Sequence, residues 1–164
     1  MSLPIRSAIL CSGGGFTPLS EERETLLAYD TTAESMRAVL HAMLGDPKWG
    51  DDEAYGAKRQ EIARLPGAFE CACALFGITA AKKPAGQGSG IPDKAVYENV
   101  EVPVLIVAGA NDPLREPGYS TSVAERIPDN EHHLYENCGH CPNIEFAERF
   151  NAEAIDFLKR VNAR

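Results

Sequence analysis

Residues 102–114 read "VPVLIVAGANDPL". From Val102 to Ala108 the run is apolar, rich in β-branched side chains, and closed by Gly109. A strand with water on one face alternates polar and apolar residues. A run without alternation suits a parallel strand covered on both faces. Parallel strands need helical crossovers, so the chain should be α/β. Asp112 follows at once, just beyond the carboxyl end of the strand, where parallel sheets gather their functional groups.

Moving outward, "GYSTSVAERI" (118–127) reads as a helix and "EHHLYE" (131–136) as another short strand. His140, in "YENCGHCPNIE" (135–145), then lies just past a second strand end. Asp112 and His140 are 140 − 112 = 28 residues apart, room for one helix and one strand. A carboxylate that accepts a hydrogen bond from an imidazole fixes its tautomer and stabilises its protonated form, so the imidazole can serve as a general base. Cys138 and Cys141 flank that histidine and raise two other readings. A zinc site needs four ligands in tetrahedral array. Cys71 and Cys73 are the remaining candidates, but at i, i+2 on a helix they face different directions. No metal site is therefore expected. As a redox pair, C-x-x-C lacks a thioredoxin-like context. That leaves a catalytic histidine between two ordinary cysteines.

Upstream, "IRSAILC" (5–11) reads as a buried strand ending abruptly at "SGGG". Ser12 ends that strand, but glycines and "FTPL" follow rather than a helix whose N-terminus could hold an oxyanion, so it reads as a loop-starting serine. Thr31 and Glu34 have capping-box spacing, ahead of a helix with Met36, Val39, Leu40, Met43 and Leu44 on one face. A second helix is expected from Asp51 or Asp52 to about Arg64, and a third over "AFECACALF" (68–76) after Pro66 and Gly67. "GITAAKKPAGQGSGIP" (77–92) should be a mobile connection. A single closing helix is expected from Asn143 to Val161, with Phe146, Phe150, Ala154, Phe157 and Val161 on one face. The three helices over 31–76 look like an inserted layer, not a crossover. On the second helix Tyr55, Arg59 and Ile62 should share a face. Arg59 there either packs its stem and extends its head to water or clamps a carboxylate with its two-pronged guanidinium.

The 164 residues suffice for one domain, and 44% hydrophobic with 24% charged residues is a globular balance. A net charge of −8 argues against a nucleic-acid partner. No apolar run approaches the ~20 residues of a membrane span. Five scattered cysteines do not look like a secreted disulfide framework, so a reduced, cytoplasmic protein is expected.

"VPVLIVAGANDPL" followed by "NCGHCPNIEFAERFNAEAIDFLKR" (137–160) resembles the last third of an α/β-hydrolase. More narrowly, the chain resembles the meta-cleavage-product hydrolases, which split a carbon–carbon bond in 2-hydroxy-6-oxo-dienoates. "AILCSGGG" (8–15) is similar to their strand and glycine loop before the lid, and "AESMRAVLHAMLGDPKWGDDEAYGAKRQEI" (33–62) to their lid helices. The resemblance implies the C-terminal portion of an α/β-hydrolase fold: about three parallel strands, flanking helices and an inserted helical lid. Its parts would be a first strand and glycine loop (1–19), a lid with its flexible connection (20–92), and a core with the acid and histidine loops (93–164). It implies Asp112 as triad acid, His140 as triad base, Arg59 as the lid arginine facing an acidic substrate, and no cofactor. Cys141 stands where the family often has an aromatic substrate contact.

The nucleophile of such enzymes sits in a G-x-S-x-G elbow, and no such pentapeptide occurs in these 164 residues. By resemblance "LPIRSAILCSGGG" (3–15) is the strand after the nucleophile's helix. A chain cut before the lid and inactive alone is therefore expected, with a carboxylate-bearing dienoate or ester as substrate if completed. The other reading is a non-catalytic folded remnant that binds ligands or self-associates. In either case Ile5–Cys11 would leave an open strand edge, and a homodimer through that edge is expected.

Overall fold

A computed structural model of the chain describes residues 4–78 and 90–163. Three parallel strands, β1 (Ala8–Cys11), β2 (Val104–Gly109) and β3 (Asn130–Tyr135), lie side by side in that order. Ala8 stands opposite Val104, and Val104 opposite Asn130. Every residue of β2 is buried, because the strand is covered twice. Leu105 and Val107 pack with Tyr135, Ala154, Phe157 and Val161 on one face. Val104 and Ile106 pack with Tyr97, Val123 and Ile127 on the other. The absence of alternation in the sequence has this double cover as its cause.

β1 is shorter than the seven residues expected (5–11) and starts only at Ala8. The Ala8 N–H bonds the carbonyl of Pro103, and Pro103 has no N–H with which to extend the ladder backwards. Ile5 is left 74% exposed.

Between β1 and β2 the chain makes a helical excursion: α1 (Glu21–Leu27), α2 (Ala33–Met43), α3 (Lys48–Asp51), α4 (Glu53–Ala63) and α5 (Ala68–Phe76). Its two ends meet at an antiparallel bridge between Thr17 and Ile91, with N–H···O distances of 3.0 and 2.8 Å. Tyr29, Met36, Leu40 and Leu44 form the buried heart of this layer. The residues expected as a mobile connection lie largely outside the described residues.

The helix starts follow local chemistry. α2 is capped by Thr32, not Thr31: the Thr32 hydroxyl accepts from the Ser35 N–H. Asp30 accepts from both the N–H and the hydroxyl of Thr32 at 3.0 and 2.6 Å. Thr31 is turned into the left-handed region (φ 71) and cannot cap. α1 was not anticipated, although Ser20 caps it and Glu21, Glu22 and Glu24 fill its first turn, the usual pattern at a helix start.

After β2 come α6 (Tyr119–Ala124), β3, α7 (Pro142–Glu145) and α8 (Ala147–Asn162). The single closing helix expected from Asn143 is thus broken at Phe146 (φ −129, ψ 46). The break lets Phe146 meet Tyr135 edge-on at 5.8 Å while Glu145 turns back towards Gly139. Among the described residues no helix is long and apolar enough to cross a membrane.

Candidate active site

Asp112 and His140 meet at the carboxyl ends of β2 and β3. His140 Nδ1 lies 2.8 Å from Asp112 Oδ2. The carboxylate side chain is 2% exposed and the imidazole 22%. The Leu114 N–H donates to Asp112 Oδ1 at 2.9 Å, so the backbone sets the carboxylate's orientation. A carboxylate only accepts, so its partner Nδ1 carries the proton. In neutral imidazole this leaves the lone pair on Nε2, the tautomer a general base needs.

Close backbone contacts hold the histidine loop. A Cβ on Gly109 would fall 2.0 Å from the Gly139 carbonyl oxygen, and one on Gly139 would fall 2.4 Å from the Gly45 nitrogen. Strand end, histidine loop and the loop after α2 can approach this closely only because all three positions are glycine. The His140 N–H donates to the Met43 carbonyl at 2.8 Å. Glu145 joins the same two loops, accepting from the Gly45 N–H at 2.8 Å and the Gly139 N–H at 2.9 Å.

A cavity of about 530 Å³ opens between the helical layer and the strand ends, with His140, Cys141, Arg59, Leu40 and Met43 among its lining. Arg59 reaches it from α4 beside Tyr55 and Ala63. Ile62 follows Tyr55 and Arg59 on the same face of α4 but lies beyond the cavity and is 49% exposed, while Gln60 is the residue α4 buries, its amide donating to the Thr31 carbonyl at 2.6 Å. Burial pushes the Cys141 thiol up to about 12, with Glu145, Cys11 and Asp112 adding to the rise. At neutral pH it is a protonated, weakly polar lining group. Cys138 is fully buried in the core beside Tyr135, and burial followed by Glu145 pushes its thiol up as well. Among the described residues no three His, Cys, Asp or Glu side chains gather as a metal site would require.

Ser12 follows β1 with φ 50 and is buried, and its hydroxyl makes no hydrogen bond to His140. His140 therefore does not activate it. The residues that sequence reasoning missed are Arg23 and Arg115, which also line the cavity. Arg115 stands three residues after Asp112, a position that could have drawn notice.

No family model matches the chain. It is 28% identical over 162 residues to the 2-hydroxymuconate semialdehyde hydrolase of Pseudomonas putida, covering 96% of this chain and 55% of that protein. It is 30% identical over 171 residues to the 2-hydroxy-6-oxononadienedioate/2-hydroxy-6-oxononatrienedioate hydrolase of Burkholderia vietnamiensis, covering 98% of this chain and 57% of that one. The chain thus spans little more than half the length of these curated relatives. The solved meta-cleavage product hydrolase of Pseudomonas fluorescens IP01 superposes with a TM-score of 0.73 at 21% identity, over 94% of this chain and 56% of that one. That likeness speaks for the fold. The parallel sheet, its helices and these likenesses together show the C-terminal portion of an α/β-hydrolase fold, similar over that portion to the meta-cleavage product hydrolases.

Proposed function

We propose that this chain carries the acid, the base and the lid of a hydrolase for carboxylate-bearing substrates, either carbon–carbon bond cleavage of a 2-hydroxy-6-oxo-dienoate or hydrolysis of an ester. The observation that carries the reading is the buried Asp112 carboxylate on His140 Nδ1, at a cavity that also holds Arg59. His140 Nε2 would take the proton of a nucleophile, Asp112 would stabilise the imidazolium that forms, and Arg59 would seat the substrate carboxylate. Cys141 would offer the neighbouring apolar contact. No cofactor is needed for these steps. The five free cysteines suit a reducing cytoplasm.

The nucleophile is assigned to a G-x-S-x-G segment outside these 164 residues, so the chain alone should not turn over. A fluorophosphonate probe and an activated ester test this. Neither serine labelling nor a burst is expected from the chain alone. Adding the elbow-bearing N-terminal half of a relative should give turnover of a 2-hydroxy-6-oxo-dienoate that Asp112→Asn and His140→Ala abolish. A labelled serine in the chain alone, or restored turnover indifferent to His140, overturns the reading.

The open edge of β1 supports the second reading, a self-associating module. Among the described residues β1 pairs only with β2. Unpaired strand edges are templates for another strand, and a homodimer through the Ile5–Cys11 region would satisfy this one.

A further inference from the structure

The protein carries a net charge of −8, yet its large cavity is positive. Arg23, Arg59, Arg115 and His140 line it, and among the described residues no Asp or Glu does. The cations are grouped. Arg59 acts on the wall beside Cys141, where its charge works against the rise of that thiol. Arg23, from α1, and Arg115, from the loop after Asp112, form a second group. They are near enough that Arg115, after burial, helps to pull the Arg23 guanidinium down from its usual range.

Arg115 is held firmly, but not by an acid. Its Nη1 donates to Thr17 Oγ1 at 2.6 Å and its Nη2 to the Ser12 carbonyl at 3.1 Å. Its guanidinium lies 5.4 Å from the centre of the Tyr119 ring, and its buried Nε has no partner among the described residues. Arg37, Arg126, Arg149 and Arg160, all on the surface, each pair with a carboxylate. Two guanidinium groups that line one cavity, neither with a carboxylate partner among the described residues, repel one another in a partly desolvated wall. An anion placed between them removes that repulsion and finds preset donors.

We propose that Arg23 and Arg115 form a second anion-binding corner, so that the cavity takes a ligand with two carboxylates, one on Arg59 and one on the arginine pair. This rests on reading the cavity as the substrate chamber. Leu26, Val39 and Met43 on its wall would cover the carbon chain between the two charges.

The test is calorimetric titration of the chain with adipate and pimelate, against hexanoate and heptanoate, with sulfate as a compact dianion. The better dicarboxylate should bind at least about tenfold more tightly than the monocarboxylate of equal length, the worth of one charged hydrogen-bonded pair. Arg59→Gln should weaken both classes. Arg23→Gln and Arg115→Gln should remove the preference and leave monocarboxylate binding in place. Arg115→Gln also gives up the bonds to Thr17 and Ser12. Arg23→Gln breaks no such bond and is the deciding variant once its melting curve shows it folded. Absent dicarboxylate binding, equal affinity for both classes, a preference that survives Arg23→Gln, or sulfate binding as tightly as the dicarboxylate would each overturn the proposal. Binding is read without turnover, so failure of serine-dependent hydrolysis leaves this result intact. Restored hydrolysis without a dicarboxylate preference would refute only this inference.

Discussion

Replacing Glu145 by Ala should loosen the loop that carries His140. The Glu145 carboxylate accepts from the Gly45 N–H at 2.8 Å, the Gly139 N–H at 2.9 Å and, more weakly, the Cys141 N–H at 3.4 Å. The two main bonds differ in worth. Gly139 is buried, and its N–H would be left without a partner, costing roughly 1–3 kcal/mol. Gly45 is exposed, so water can replace its acceptor and the loss there is about 0.5 kcal/mol. Glu145→Ala should therefore cost about 1.5–3.5 kcal/mol. Glu145→Gln keeps one acceptor oxygen but turns an amide donor towards the other N–H, and should cost about 1–2 kcal/mol. Urea unfolding at neutral pH measures both losses. Amide exchange should accelerate at Gly139 and His140 before the rest of the sheet opens. A loss below about 0.5 kcal/mol for Glu145→Ala, which is the scale of a surface substitution, together with unchanged exchange at Gly139, would refute the clamp.

Two further outcomes can be checked. Burial of Glu153 is outweighed by donation from Arg149, Tyr135 and His133, and its carboxyl falls from 4.5 to about 2. A lowered carboxylate contributes stability that is fully present above about pH 4.5 and is lost as pH falls towards 2, on the order of 2–3 kcal/mol. Glu153→Gln should flatten the acid limb of stability against pH, and an unchanged limb would count against the assignment. At the β1 edge, the Ala8 and Ser12 N–H groups point to β2, so those of Ile9 and Cys11 point away. Cys11→Pro should convert an edge-paired dimer to monomer in sedimentation while keeping the bonds to β2. A charged residue at Ile9 would be a poorer probe, because Ile9 packs on the Leu105–Phe157 core. A chain already monomeric at high concentration would dismiss the edge pairing.

What the sequence by itself determined is what short-range physics encodes. The uninterrupted run at 104–109 meant burial on both faces. Gly67 and Gly77 bound α5 (Ala68–Phe76), both at positive φ, and the spacing of Ala154, Phe157 and Val161 marked the buried face of α8. Asp112 and His140 were legible because each stands a few residues past its strand, and adjacent parallel strands bring their ends together. Tertiary structure decided the rest. Whether Thr31 or Thr32 caps α2 depended on where the Asp30 carboxylate turned. The break at Phe146 depended on Tyr135 and Gly139 being within reach. Arg59 and Cys141 on the cavity wall were within reach of the sequence, but Arg115 and the Glu145 clamp were not, for the same reason. Arg115 is anchored on residues 98 and 103 positions away, and Glu145 holds a glycine 100 positions away. No periodicity spans such distances. Those contacts exist because β1 and β2 pair across the whole helical excursion and draw its neck and the strand-end loops onto one edge of the sheet.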